Sequence, residues 1–147
     1  MKIAVGSDHA GYEDPAPHYK PTLIEFLEAQ GHEVLDCGTH SPEPVDYPDY
    51  ANHVCSSVLA GDADFGILIC GTGIGMSMAA NRHRGIRAAA CTRVEEARVT
   101  RRHNDANVLC LGRRTLSLEA CFEIARVFLA TDFSDAERHR RRIAKMG

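Results

Sequence analysis

Residues 64–82 read DFGILICGTGIGMSMAANR, and this stretch decides the fold of the chain. Its apolar run is about as long as one strand and lacks the polar alternation of a half-buried strand. A glycine-rich turn follows the run, and residues 74–83 then have a helical pattern. An apolar strand followed at once by a helix is typical of a parallel sheet that is covered on both faces.

The same alternation runs through the rest of the chain. Strands are predicted at residues 2–7, 32–38, 64–70, 85–91 and 107–112, and helices at 22–31, 50–61, 74–83, 94–103 and 117–130. Residues 41–50 hold three prolines and predict a loop. A last helix is predicted over 134–146, with Ser134 as N-cap and Glu137 completing a capping box.

These elements predict one doubly wound α/β domain over residues 1–147. It consists of a five-stranded parallel sheet flanked by helices, in Rossmann-like or flavodoxin-like order, with an extra C-terminal helix. The net charge of −3 argues against binding to nucleic acid or an anionic membrane. The apolar run at the N-terminus is too short for the core of a signal peptide, and no apolar run approaches the length of a membrane span. We therefore expect a cytoplasmic protein.

The six cysteines form no CxxC pair, so we expect no metal site. Without a signal peptide, they are expected to remain thiols. Most lie in apolar contexts and are predicted to be small core residues. Cys70 differs, because it ends the third strand directly before the glycine turn. A thiol near a helix N-terminus favours its thiolate form and can act as base or nucleophile. The residues alone leave this interpretation and a buried core cysteine equally open.

The glycine turn itself has three possible interpretations. A dinucleotide fingerprint would need glycine where Met76 stands, and the lysine of a P-loop is missing, so nucleotide binding is poorly supported. A tight strand-to-helix turn is possible. The third interpretation is an anion cradle, in which backbone N–H groups hold a phosphate or a developing oxyanion.

Other polar residues follow the remaining strands. Asp8 and His9 come after the first strand, and Arg114 after the fifth, so they are expected at the same edge as Cys70. If Asp8 and His9 lie in an extended segment, they point to opposite sides.

His103 and Asn104 precede the fifth strand instead, at the opposite edge of the sheet. Either they terminate a helix, or they are catalytic and reach Cys70 from a second subunit. Arg138 and Arg142 share one face of the last helix. They form either a solvated basic surface or a phosphate clamp.

Six segments of this chain, taken together, resemble the ribose-5-phosphate isomerase type B family, which includes galactose-6-phosphate isomerase subunits. They are GSDHAG, DYPDYA, GILICGTGIGMSMAANR, GIRAA, RHNDANVLCLGRR and ERHRRR, in the family's order from residue 2 to about residue 145. The resemblance implies a homodimer or a dimer of dimers with shared active sites. It also implies aldose–ketose isomerisation of a sugar phosphate without metal or cofactor, as in the pentose phosphate pathway.

The resemblance also implies roles for individual residues. Cys70 matches the base that moves a proton between C1 and C2, and Thr72 a hydroxyl that passes the second proton. His103 matches the ring-opening group, with Asp8 as its counterpart. The remaining matches are the anion hole, Gly71, Gly73, Ile74, Gly75 and Asn104; the phosphate-binding set, His9, Arg114, Arg138 and Arg142; and a wall residue, Tyr47.

The segment Glu13–Pro17 departs from the family pattern, in which this link is about five residues shorter. Because it follows Asp8 and His9, it is expected to reshape the pocket wall and to affect which sugar is preferred. The main expectation is the interconversion of D-ribose 5-phosphate and D-ribulose 5-phosphate through an enediolate. A six-carbon substrate such as allose 6-phosphate or galactose 6-phosphate, or a non-catalytic sugar-phosphate-binding subunit, remains an alternative.

Overall fold

A five-stranded sheet forms the centre of the protein, and all of its strands are parallel. The computed structural model describes residues 1–147. The strands are β1 (Lys2–Ser7), β2 (Glu33–Asp36), β3 (Phe65–Cys70), β4 (Ala88–Ala90) and β5 (Val108–Gly112). Their order is β2-β1-β3-β5-β4. The predicted doubly wound parallel sheet is confirmed. The first three strands follow the flavodoxin-like order 2-1-3-4-5, whereas β4 and β5 have exchanged places.

Six helices and one 3-10 turn cover the sheet. They are the 3-10 turn (His9–Tyr12), α1 (Tyr19–Ala29), α2 (Tyr47–Leu59), α3 (Ile74–Ala80), α4 (Val94–Asn104), α5 (Leu118–Ala130) and α6 (Glu137–Lys145). None of these helices has the length and apolar character needed to cross a membrane.

The side chains of β3 alternate between two apolar cores, one on each face of the sheet. Ile67 and Ile69 belong to the larger core, which includes Phe128 of α5. Leu68 and Cys70 belong to the smaller core, which includes Met76 of α3. Because both faces of β3 are covered, its sequence is apolar at every position rather than at alternate ones. This double coverage fixes the end of β3 rigidly in the fold.

Helix α2 begins earlier than the sequence predicted. It starts at Tyr47, so the predicted loop through residue 50 is wrong for its last four positions. Pro48 lies in the first turn of the helix, where a backbone N–H has no intrahelical acceptor and the ring is tolerated. The earlier start places Tyr47 at the helix end that faces the glycine turn.

The predicted cap of the last helix is also wrong. Helix α6 begins at Glu137 and its N-cap is Ala136, because Asp135 has a left-handed backbone (φ 54°) that interrupts the helix. The hydroxyl of Ser134 instead makes a 2.8 Å hydrogen bond with Nδ1 of His139. The amide of Ser134 donates to the carbonyl of Arg102 over 3.1 Å. Ser134 therefore attaches α6 to the end of α4.

A fully buried lysine holds the chain after β2 against the end of β1. Lys20 of α1 donates from Nζ to the carbonyl of Thr39 over 2.8 Å and forms an ion pair with Asp36. The amide of Thr39 donates to the carbonyl of Ser7 over 2.7 Å. Lys20 thus stabilises the edge of the sheet from which Asp8 and His9 continue.

We expect Lys20→Met to lower the free energy of unfolding by about 2–4 kcal/mol, because it leaves the Thr39 carbonyl and Asp36 without their buried donor. Urea denaturation measures this change. Lys2→Met, which alters an exposed lysine of β1, is the matched control and should change stability by less than about 0.5 kcal/mol. Equal effects of the two substitutions would contradict the role assigned to Lys20.

Candidate active site

Cys70 ends β3 and is 5% exposed, at the carboxyl edge of the sheet where the sequence predicted it. The amide of Gly73 donates to Cys70 Sγ over 3.1 Å, so the turn folds back onto the sulfur. Gly73 makes this possible with a φ of +80°, a backbone conformation that other residues rarely adopt. The sulfur is therefore held at the start of the turn rather than free to rotate into solvent.

Two backbone hydrogen bonds tie the glycine turn to the loop after β5. The amide of Arg113 donates to the carbonyl of Cys70, and the amide of Arg114 to the carbonyl of Gly71, both over 2.9 Å. Nη1 of Arg114 lies 3.1 Å from the position that a β-carbon on Gly71 would occupy. The guanidinium of Arg114 therefore lies directly over the turn.

The other side of the turn is walled by the ring of Tyr47. A β-carbon on Gly75 would lie 2.8 Å from this ring, so a larger residue would push the wall away. The amides of Gly71, Thr72 and Gly75 donate to no protein acceptor, whereas the amide of Ile74 donates to Thr72 Oγ1 over 3.2 Å. The turn thus offers free N–H donors beside the Cys70 sulfur, as an anion cradle requires.

His9 begins the 3-10 turn, and Asp8 is its N-cap with an extended backbone (φ −83°, ψ −166°). The carboxylate of Asp8, 7% exposed, accepts from the amide of Ala10 over 2.9 Å and caps the turn. Nδ1 of His9 accepts from the amide of Val45 over 3.2 Å. In the neutral ring this leaves the proton on Nε2, which can donate to an anion.

His103, Asn104, Arg138 and Arg142 form a separate group at the opposite edge. Helix α4 ends at Asn104, at the amino end of β5, and the His103 ring lies 4.3 Å from that of His139 in α6. The left-handed residue that ends α4 is Asp105, so Asn104 is not its terminator. Strand β5 separates this group from Cys70 by roughly 13 Å, at about 3.3 Å per residue. The fold does not bring the two groups together in one chain.

A cleft of about 660 Å³ opens beside this second group. Its lining includes Asn104, Arg87 directly before β4, and Ile143 and Met146 near the C-terminus. Cys70 is not among the lining residues. This cleft therefore belongs to the edge where α4 ends and not to the turn at Cys70.

The other buried cysteines behave as core residues, as the sequence predicted. Burial raises the pKa of Cys55 to about 11 and the pKa values of Cys91 and Cys121 to about 12. Burial also raises the pKa of Cys110 well above its usual range. These four side chains therefore stay protonated at neutral pH and contribute packing rather than reactivity.

One residue at the site was missed by the sequence analysis. The carboxylate of Glu13 binds Arg114 through two guanidinium nitrogens, with Oε1 2.7 Å from Nη2 and 3.2 Å from Nε. This pair holds the pKa of Glu13 below its usual value. The sequence pointed to the Glu13–Pro17 segment as a pocket wall. It carried no local signal for a pair of residues that lie 101 positions apart.

Residues 3–146 match the sequence model of a family described as Ribose/Galactose Isomerase. The Escherichia coli K12 protein named ribose-5-phosphate isomerase B is 43% identical over 142 residues, which cover 97% of this chain and 91% of that protein. The structure of ribose-5-phosphate isomerase B from Clostridium thermocellum is similar with a TM-score of 0.94 and 47% identity, covering 100% of this chain and 95% of that one. A ribose 5-phosphate isomerase structure from Thermotoga maritima gives 0.92 and 52% identity, covering 99% and 96%.

The contact between His139 and the second group predicts how stability depends on pH. Burial, and then the charges of His103, Arg138 and Arg142, hold the pKa of His139 below its usual value. The unfolded chain therefore binds this proton more readily than the folded protein. This contribution is fully present above pH 6.5, the usual histidine pKa, and is lost as pH falls below about 6.5.

We therefore expect the free energy of unfolding to fall between pH 7.5 and 5.5, and to fall less in His139→Gln. Urea denaturation at both pH values measures the difference. His53→Gln, at an exposed histidine of α2, is the matched control and should keep the pH dependence of the parent protein. A pH dependence in His139→Gln identical to that of the parent would contradict this assignment.

Proposed function

The chain belongs to the ribose/galactose isomerase family, and on that premise we propose that it interconverts D-ribose 5-phosphate and D-ribulose 5-phosphate through an enediolate. It is a sugar-phosphate isomerase. The observation that carries the proposed mechanism is the Cys70 sulfur, held beside a turn whose amides at Gly71, Thr72 and Gly75 have no protein acceptor. Such a site pairs a base with donors for the anion that the base creates.

The reaction moves two protons and needs no external oxidant or reductant. The Cys70 thiolate takes the proton from C2 of the open-chain aldose, and the electron pair of that C–H bond forms the C1–C2 double bond. The O1 carbonyl becomes an oxyanion. Cys70 then returns its proton to C1, while the proton on O2 passes to O1 through the Thr72 hydroxyl. The product is the ketose, and Cys70 is again a thiolate.

The glycine turn is the oxyanion hole in this proposal. We assign its free amides at Gly71 and Gly75 to the negative charge that develops on O1 and O2, and Asn104 of a second copy adds a side-chain donor. Gly73 and Ile74 complete the turn backbone. Losing one such donor typically lowers the rate by roughly 10²–10³-fold. Tyr47 and Arg114 form the two walls of the turn.

Some of the remaining roles require a second copy of the chain. We assign ring opening to His103, with Asp8 near the sugar hydroxyls, and phosphate binding to His9, Arg114, Arg138 and Arg142. Since His103 and the two α6 arginines lie at the opposite edge, a homodimer or a dimer of dimers with shared active sites is the arrangement we propose.

An exposed apolar surface supports this arrangement. Ile74 and Met78, four residues apart on α3, are 53% and 65% exposed directly beside the glycine turn. Tyr47 next to them is 39% exposed. Large apolar side chains exposed together at a site rim are typical of a surface that another chain covers. The six unpaired cysteines are typical of a reducing compartment, which supports the cytoplasm as the place of the reaction.

A six-carbon sugar phosphate is a second candidate substrate, because the Glu13–Pro17 segment reaches Arg114 and shapes the rim. A substrate panel of ribose 5-phosphate, allose 6-phosphate and galactose 6-phosphate, compared by kcat/KM, distinguishes the two. The non-catalytic binding subunit that the sequence alone left open is set aside, because the full-length relatives are isomerases and Cys70, His103 and Asn104 are all present. Turnover by the purified chain alone would exclude it.

Cys70→Ala should lower kcat by roughly 10²–10⁴-fold, the typical contribution of a positioned base. It should also abolish exchange of the C2 proton with deuterated water, which NMR of the sugar measures directly. Cys37→Ala, at a half-exposed cysteine outside the site, is the control and should keep full exchange. Undiminished exchange in a folded Cys70→Ala protein would refute the base assignment.

The shared site predicts complementation. Cys70→Ala and His103→Ala should each be nearly inactive, but their mixture should recover about a quarter of wild-type activity. Half of the randomly formed dimers are mixed, and each of these has one of its two sites intact. Native mass spectrometry verifies subunit exchange. No recovery among verified mixed dimers would contradict a site built from two copies.

A further inference from the structure

Glu13 occupies one of the two guanidinium edges of Arg114 that can bind a phosphate. Arg114 presents Nε and Nη2 to the Glu13 carboxylate at 3.2 and 2.7 Å, a two-point pair. Arginine binds carboxylate and phosphate through this same planar edge. The third nitrogen, Nη1, lies over Gly71 at the glycine turn. While the pair is closed, Arg114 therefore cannot offer its Nε–Nη2 edge to a ligand, and only the Nη1–Nη2 edge is left.

The backbone at Glu13 and Asp14 is anchored by hydrogen bonds that do not involve Arg114. The amide of Glu13 donates to the carbonyl of Ala10 over 3.2 Å. Nη2 of Arg113 donates to the carbonyl of Asp14 over 3.2 Å, and its guanidinium lies 4.6 Å from the centre of the Tyr19 ring. These contacts thus keep the backbone of Glu13 near Arg114 even when the ion pair opens.

The pair itself is weakly held. The Glu13 side chain is 33% exposed and that of Arg114 is 58% exposed, so water can replace either partner. Exposed ion pairs contribute little to stability. The interaction with Arg114 keeps Glu13 ionised by holding its pKa below its usual value. A full negative charge therefore stands at the place where a doubly charged phosphate would bind.

We propose that the carboxylate of Glu13 is a built-in competitor of the substrate phosphate for Arg114, and that it sets the affinity for the sugar phosphate. This inference rests on the proposed function, in which Arg114 belongs to the phosphate-binding set. Binding opens the Glu13–Arg114 pair and replaces one carboxylate by the phosphate. Glu13 does not contact the reacting carbons, so it affects binding and not the proton transfers.

The test compares Glu13→Gln with the parent protein in steady-state kinetics with ribose 5-phosphate. Removing the charge should lower KM by roughly 3- to 10-fold, the scale of one close charge interaction near a protein surface. It should leave kcat within about twofold. The inhibition constant for inorganic phosphate, used as a competing anion, should fall by the same factor. Glu13→Ala should also lower KM and the phosphate inhibition constant, which shows that the effect comes from losing the charge and not from the new glutamine amide.

Asp14→Asn is the matched control, because Asp14 is the adjacent acid and pairs with His18 instead of Arg114. It removes the same charge and should leave KM and the phosphate inhibition constant unchanged. Arg114→Gln should raise both values. In the double variant Glu13→Gln/Arg114→Gln, the fall in KM that Glu13→Gln causes alone should disappear. No guanidinium is then left for which the carboxylate and the phosphate could compete.

The outcomes separate the inference from the function on which it rests. If Arg114→Gln weakens phosphate inhibition but Glu13→Gln leaves KM unchanged or raises it, the competitor role is wrong while the phosphate site stands. If Arg114→Gln leaves phosphate inhibition unchanged, the phosphate assignment of Arg114 is wrong, and the competitor role falls with it.

Discussion

The hydrogen-bonded ladder between β3 and β5 is the constraint on which the rest of the structure depends. It pairs Cys70 with Gly112 at one end and Gly66 with Val108 at the other. A ladder of this kind cannot bend to bring its two ends together. Because Cys70 lies at one end and Asn104 precedes the other, the fold divides the candidate active-site residues between opposite edges of the sheet. The homodimer that we propose would resolve that division by turning the opposite edge of a second copy toward Cys70.

Close packing around the Cys70 sulfur then determines which groups the carboxyl edge of the sheet presents to a ligand. The turn after β3 folds onto the Cys70 sulfur through Gly73, with Arg114 on one side and the Tyr47 ring on the other. The free amides of the turn, and not a mobile side chain, are placed beside the sulfur. Their orientation is fixed before any ligand binds, which is what makes such donors effective in stabilising a transition state. The negative charge closest to Arg114 at this rim belongs to Glu13, which lies outside the turn.

The sequence predicted those parts of the fold that have local causes. The apolar run before Cys70 and the glycines after it gave the strand, the turn and the edge correctly. The start of α6 was missed because Ser134 and Glu137 match a capping box, whereas the left-handed backbone of Asp135 interrupts the helix. Neither the position of β5 inside the sheet nor the Glu13–Arg114 pair has a local signature, since each depends on segments distant in sequence.

The most direct test of the shared site is a crystal structure of the protein with a hydroxamate analogue of the enediolate that carries a terminal phosphate. We expect Cys70 and the glycine turn of one copy to contact the hydroxamate. We also expect His103 and Asn104 of a second copy on the same ligand, with Arg114 of the first copy on the phosphate. An analogue bound at Cys70 with every contact from one copy would contradict a shared site.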